Sequence, residues 1–202
     1  MAELTIERYR GAALQQFIPA VAALRIEVFR AFPYLYEGNE AYEAEYLQTY
    51  VDSPGAVVVI ARDGEQVVGA STGLPLAAEC EEFRRPFEEA GYPVDKIFYC
   101  AESVLQPSYR GRGIGVAFFD QRIAHARETG DFDWLTFCAV QRPETHPLRP
   151  ADYQPLDRFW QKRGFTQAGG LTTEFSWQDV DQPEETAKPM QFWMRQMPAG
   201  DL

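Results

Sequence analysis

Between Leu4 and Tyr9 apolar and polar residues alternate with period two, as in a half-buried strand. The period then lengthens: residues 14–32 carry Phe17, Val21, Leu24, Ile26 and Val28 in helical fashion, and Pro33 closes the segment. Beyond Gly38-Asn39, the set Tyr42, Tyr46, Leu47 and Tyr50 predicts a second helix that stops near Asp52-Ser53-Pro54-Gly55. Residues 56–61 and 66–71 read as strands flanking Asp63-Gly64, the strongest short hairpin signal in the chain. Residues 76–90, rich in Glu and Arg, predict a helical insertion, expected to be a solvated helix covering the sheet, with a substrate lid as the alternative.

Residues 97–105 are apolar and β-prone, broken only by Cys100, Glu102 and Ser103, and Gln106-Pro107-Ser108 supplies a turn. Ile114, Phe118, Phe119, Ile123 and Ala126 then recur at helical spacing, leaving Asp120, Gln121, Arg122, Arg127 and Glu128 for the polar face, up to Gly130. Residues 134–140 predict the next strand. The proline-rich residues 141–155 predict a rigid loop, followed by a helix that ends before Gly164-Phe165. The last two strands are expected at 172–177 and 190–197, joined by an acidic, mobile stretch at 178–188.

With 202 residues, 46% of them hydrophobic, the chain can bury a sizeable core without metals or disulfides, and nothing marks a second domain within 1–202. No charged-then-apolar leader and no uninterrupted apolar run of bilayer length stand out, so the expectation is a cytoplasmic protein without a membrane partner. Cys80, Cys100 and Cys138 have no metal-ligand spacing and read as reduced, largely buried thiols. With His125 and His146 as the sole histidines, no metal site is expected. A net charge of −11 argues against a nucleic-acid partner.

The candidate chemistry lies at Arg110-Gly111-Arg112-Gly113-Ile114-Gly115, between the strand at 97–105 and the helix that follows. A strand that turns through glycines into a helix presents unpaired N–H groups at the positive end of the helix dipole, which suits a phosphate-bearing ligand. Glycines let phosphate oxygens approach the amides, and the two arginines add forked cationic donors. A solvent-exposed Arg/Gly turn is the alternative. A P-loop is excluded because its lysine and hydroxyl residue are absent, and Gly111-x-Gly113-x-Gly115 has the wrong spacing for a dinucleotide fingerprint.

The stretch resembles the acyl-CoA signature of the GNAT N-acetyltransferase superfamily: Arg110-x-x-Gly113-x-Gly115 after Val104-Leu105 and Pro107. Phe159-Trp160-Gln161-Lys162-Arg163-Gly164-Phe165 looks like the family's later aromatic-x-x-x-Gly-Phe segment. The resemblance covers roughly the middle and C-terminal thirds. It implies an α/β (α+β) fold with a mixed, mostly antiparallel central sheet of about seven strands, helices on both faces, and splayed fourth and fifth strands. The implied activity is direct transfer of an acetyl group from acetyl-CoA, as co-substrate, to an amine of a small molecule or peptide. Ser103, Val104 and Leu105 would then pair through their backbone with pantetheine, while the amides of Gly111, Arg112, Gly113, Ile114 and Gly115, with Arg110, would hold the pyrophosphate.

An amine attacks as the free base, which calls for a proton acceptor. Glu102, five residues before Pro107, where relatives often carry a carboxylate, is the candidate base; a structural salt bridge is its alternative role. Where relatives place an acidic tyrosine, four residues before Gly164, this chain has Trp160, which cannot protonate a leaving thiolate. Tyr153, read as lying at a helix start, is the candidate replacement. Phe29, Phe32, Tyr34 and Tyr36, near Glu37 and Glu40, are candidates to cradle the acceptor, with core packing as their alternative. Trp160 also motivates a second hypothesis, a non-catalytic acyl-CoA sensor or interaction module. The acceptor, the donor's chain length and a homodimer stay open.

Overall fold

The computed structural model describes residues 4–199. Its elements are β1 (Leu4–Tyr9), α1 (Ile18–Phe29), α2 (Glu40–Asp52), β2 (Val57–Asp63), β3 (Gln66–Pro75), α3 (Glu81–Glu89), β4 (Ile97–Tyr99), β5 (Ser103–Leu105), α4 (Ile114–Thr129), β6 (Trp134–Val140), α5 (Asp157–Gln161), β7 (Thr166–Gln178) and β8 (Glu185–Gln196). The strands form one eight-stranded sheet in the order β1-β2-β3-β4-β6-β8-β7, with β5 paired to β3. Only β4 and β6 run parallel.

Alternation along β3 sorts the helices onto two faces. A Cβ built on Gly69 would meet Phe118 of α4, and one on Gly73 would meet Phe98, whose ring lies 5.9 Å from His125 of α4. The α4 side is therefore that of Gly69, Ser71 and Gly73, and Thr72 belongs to the opposite side, that of α1 and α2. On the α1/α2 side, but over the far half of the sheet, α3 sets Phe87 4.8 Å from Phe192 of β8. The charged insertion thus covers the sheet through buried Phe87 and half-buried Phe83 while the glutamates of α3 face outward.

The expected strand over 97–105 is divided. Leu74 pairs with Tyr99, yet Ser71 pairs with Ser103, so three residues, Cys100–Ala101–Glu102, oppose two, Thr72–Gly73. This is a β-bulge, and it raises the strand number from the expected seven to eight. The hairpin turn is Gly64-Glu65, with Gly64 at φ +60° and Asp63 still in the strand, paired to Gln66.

Residues 11–29 form a 19-residue helical stretch with a mean hydropathy of 1.3, long and apolar enough to cross a bilayer, which amends the sequence expectation. Here Leu14, Val21, Leu24 and Phe29 are buried in the core shared with the sheet, and the guanidinium of Arg25 is buried with them. The stretch at 178–188 also departs from expectation. β7 runs to Gln178 and β8 starts at Glu185, and both Asp179 and Lys188 are buried, joined by an ion pair of 3.3 Å. Cys100 and Cys138 are buried but Cys80, just ahead of α3, is exposed.

Candidate active site

Gly111 (φ +75°) and Gly113 (φ +81°) occupy left-handed backbone regions in which a side chain would be strained, and Gly113 is the N-cap of α4. Gly115 is different: its backbone is ordinary helix, and a Cβ there would come within 3.3 Å of the Phe159 ring of α5. Its glycine serves the packing of α5 against α4. Val116 and Ala117 both donate to the Gly113 carbonyl, at 3.0 Å each. Among the described residues the amides of Gly111, Arg112, Gly113, Ile114 and Gly115 find no acceptor within the chain. Tyr109 ties this loop to the β2–β3 hairpin by donating from Oη to Asp63 Oδ2 (2.8 Å), and Arg112 lies over the Tyr109 ring at 4.9 Å. Arg110 and Arg112 are exposed. The result is a row of donors without intrachain partners at the start of α4, a kind of site that suits an anionic group.

The edge of β5 adjoins that row in sequence. Thr72 N–H donates to Glu102 O and Gln106 N–H to Val68 O, both at 2.9 Å, so the bonds to β3 fall at residues 102, 104 and 106. The backbone groups of Ser103 and Leu105 therefore point the other way. On that side β6 pairs with β4 only as far as Tyr99↔Thr136, followed by a bond from Cys100 N–H to Thr136 O (2.7 Å), and β5 has no partner but β3. The splay is real, and two of the three expected main-chain partners border it. Val104 does not: its backbone is committed to Ala70 and its side chain is buried.

At the bulge, Glu102 turns toward α1 and α2. Its Oε2 forms an ion pair with Arg25, which also pairs with fully buried Glu43, and its Oε1 accepts from Tyr46 Oη at 3.1 Å. Tyr46 and Tyr50 share a hydrogen bond of 2.9 Å. With Tyr46 donating to Glu102, Tyr50 is the donor to Tyr46. Burial pushes the Tyr46 phenol well above its ordinary pKa and that of Tyr50 up to about 12, so both are protonated donors at neutral pH. The salt bridge considered as an alternative role for Glu102 is present, and the side chain nonetheless keeps 23% exposure. On the same face, Tyr99 and Cys138 lie 3.1 Å apart, and burial drives the Cys138 thiol up to about 12. Glu79, its pKa raised by burial, reaches Tyr46, Tyr50, Tyr99 and Cys138 with its field.

The wall beside this face is the loop between α1 and α2. Arg142 donates from Nε to Pro33 O and from Nη2 to Tyr34 O, both at 2.8 Å, and grips Asp179 with two bonds of 2.7 and 2.9 Å. Trp177 Nε1 also donates to Tyr34 O (2.9 Å), and Val180 N–H to Leu35 O (2.7 Å). Burial raises Tyr34 above its ordinary value. Of the four expected acceptor residues, Phe29 is a core residue, 4.6 Å from Tyr34 and under the Arg25 guanidinium, whereas Phe32, Tyr34 and Tyr36 are partly exposed.

Tyr153 lies in the loop before α5 rather than at a helix start. Its ring meets Phe32 edge-on at 4.7 Å with Arg149 4.9 Å above it, and burial raises its phenol. The structure brings these two predicted residues together. Trp160 is packed between Phe137 (4.9 Å) and Trp193 (5.1 Å), on the α4 side of the sheet. A cleft of about 610 Å³ lined by Tyr92, Trp134, Met194, Arg195 and others borders none of the site residues.

Sequence reasoning missed Arg25, Glu43, Glu79, Arg142, Asp179 and Lys188, and it placed Arg122 on the polar face of α4. The available signal for Arg122 was its place four residues from both Phe118 and Ala126, within the buried stripe.

A family model described as the acetyltransferase (GNAT) family matches residues 21–165. Among curated proteins none matches the chain significantly. Solved structures similar to it include an N-acetyltransferase from Staphylococcus aureus Mu50 (14% identity, 98% of this chain and 100% of that chain, TM-score 0.63). Arabidopsis thaliana NAA60 in complex with acetyl-CoA is similar over 96% of this chain and 98% of its own, at 14% identity and TM-score 0.62. A ribosomal-protein-alanine N-acetyltransferase from Brucella melitensis aligns over 95% and 99%, at 17% identity and TM-score 0.60.

Proposed function

Because the chain belongs to the GNAT acetyltransferase family, we propose that it transfers an acetyl group from acetyl-CoA to a primary amine of a small molecule or peptide. The observation that carries this reading is one continuous segment holding three parts: Glu102 at the bulge, the open edge of Ser103 and Leu105, and the five free amides from Gly111 to Gly115. When bound, acetyl-CoA supplies the thioester carbon that the amine attacks.

The amides of Gly111–Gly115 hold the diphosphate, with Arg110 and Arg112 adding charge at the rim. Ser103 and Leu105 offer alternating N–H and C=O groups to an extended amide chain, as a strand edge does to a peptide. Glu102 takes a proton from the acceptor's ammonium group, directly or through one water, at its exposed side, and the free amine so formed attacks. The orientation of Glu102 comes from Tyr46 and Arg25. Tyr153, a phenol whose pKa burial raises further, is the candidate donor to the departing sulfur, which leaves readily even unassisted because a thiol's pKa is low beside that of an alcohol or amine. Tyr34, Tyr36 and Phe32 line the acceptor's approach.

A second reading, favoured by the position of Trp160 in the aromatic core, is a non-catalytic acyl-CoA-binding module. Purified protein with acetyl-CoA and a panel of amines, followed by thiol release, is compared with calorimetric binding of CoA alone. Thiol release with any amine supports transfer; CoA binding without turnover selects the binding module; no CoA binding overturns both.

A further inference from the structure

Among the described residues Arg122 is the largest fully buried side chain and has no carboxylate partner. Its guanidinium meets carbonyls: Nη1 donates to Thr72 O at 3.2 Å and to Glu102 O at 3.3 Å, and Nε to Phe118 O at 3.3 Å. Burying an unpaired guanidinium is costly, so its place calls for a physical account.

The bulge provides it. In a regular ladder Glu102 N–H would donate to the Thr72 carbonyl. With the extra residue, Glu102 N–H instead reaches Thr72 Oγ1, at 3.2 Å, and the Thr72 carbonyl loses its strand donor. Arg122 supplies the missing donor and shares it with the Glu102 carbonyl. The same helix presents Ile114 and Gly115 to the phosphate cradle, so α4 joins both parts of the site.

We infer that Arg122 is a positioning residue for acyl transfer: it locks the bulge, and thereby aims Glu102 at the acceptor face. This inference rests on the acetyltransferase reading given above, and its test separates the two.

The full-length variants R122M, R122K and T72V are compared with wild type in three measurements: calorimetric affinity for acetyl-CoA, kcat on an accepted amine, and exchange of individual amides. R122M is expected to lower kcat at least tenfold while the acetyl-CoA Kd stays within threefold, and to speed exchange of the Thr72 and Glu102 amides at least tenfold. R122K, which keeps a donor without the fork, regains part of kcat. T72V, which removes the hydroxyl that accepts from Glu102, follows R122M and carries the same comparison if R122M does not fold. Wild-type exchange at Thr72 and Glu102 in the variants overturns the inference, as do equal losses of kcat and acetyl-CoA affinity. If the wild type acetylates no amine, the transfer reading falls, and amide exchange alone decides whether Arg122 locks the bulge.

Discussion

The cofactor side and the acceptor side of the site are built by opposite means. The cradle at Gly111–Gly115 is formed from one short, largely exposed segment and offers backbone groups with no partner among the described residues. The acceptor wall is assembled from side chains far apart in sequence: Arg142 binds Pro33 and Tyr34 across more than a hundred residues, and Asp179 draws Arg142 and Lys188 together. Backbone recognition needs only glycines and a helix start. A wall of buried charges needs several distant residues at once, so it fixes the acceptor loop firmly while leaving little trace in any local pattern.

Several substitutions break or sharpen this contrast, in order of falling effect. Asp179→Asn leaves Arg142 and Lys188 buried without their counter-charge and should cost about 3–5 kcal/mol in urea unfolding. At a temperature where the variant is still folded, its acetyl-CoA affinity should match wild type, because the cradle shares none of these contacts. Loss of that affinity would show the two sides to be one unit.

Glu102→Gln removes the proton acceptor while retaining an acceptor for Tyr46, and kcat should fall about 10²-fold with acetyl-CoA binding unchanged, measured by thiol release and calorimetry. Gly113→Ala places a side chain at φ +81°, with strain of about 1–2 kcal/mol, and weakens acetyl-CoA binding about tenfold if relieved by moving the cradle. Gly115→Ala presses on Phe159 instead, so its effect should appear in stability before affinity.

The smallest effect comes with pH. The raised phenols of Tyr46, Tyr50 and Tyr99 stabilise the fold fully below pH 10, the ordinary value, and lose that contribution as pH rises toward their folded values, about 12 for Tyr50. At pH 10.5 the loss from Tyr50 is under about 1 kcal/mol, detectable as a lower urea midpoint. A midpoint that does not fall between pH 9 and 10.5 would contradict the burial of these hydroxyls.

Much of the fold was legible because its signals are local. The strand at 134–140 has the predicted ends, and the helix at 40–52 starts on Asn39, whose Oδ1 accepts from Tyr42 N–H. The break at Cys100–Glu102 was not legible, since a bulge depends on how many residues the facing strand supplies. Nor was Asp179: in an acidic stretch it reads as solvated, and only the approach of Arg142 from another loop makes its burial favourable. Glu102 stands out in the sequence as a lone carboxylate in an apolar strand, but its partner Arg25, and the Glu43 that shares Arg25, lie on helices whose apolar pattern gave no reason to bring charges inside.

The extra residue at the bulge also fixes parity. Tyr99 and Val104 are five positions apart, an odd interval that would set their side chains on opposite surfaces of an unbroken strand, yet both contribute to the surface under α1, α2 and α3. A chain shortened by one residue between Cys100 and Glu102 would set two residues against two, so β4 and β5 would merge into one regular strand with Val104 still toward α1 and α2 and Leu105 still toward α4. The loss of one amino acid there would return a strand donor to the Thr72 carbonyl and remove the gap that the Arg122 guanidinium fills.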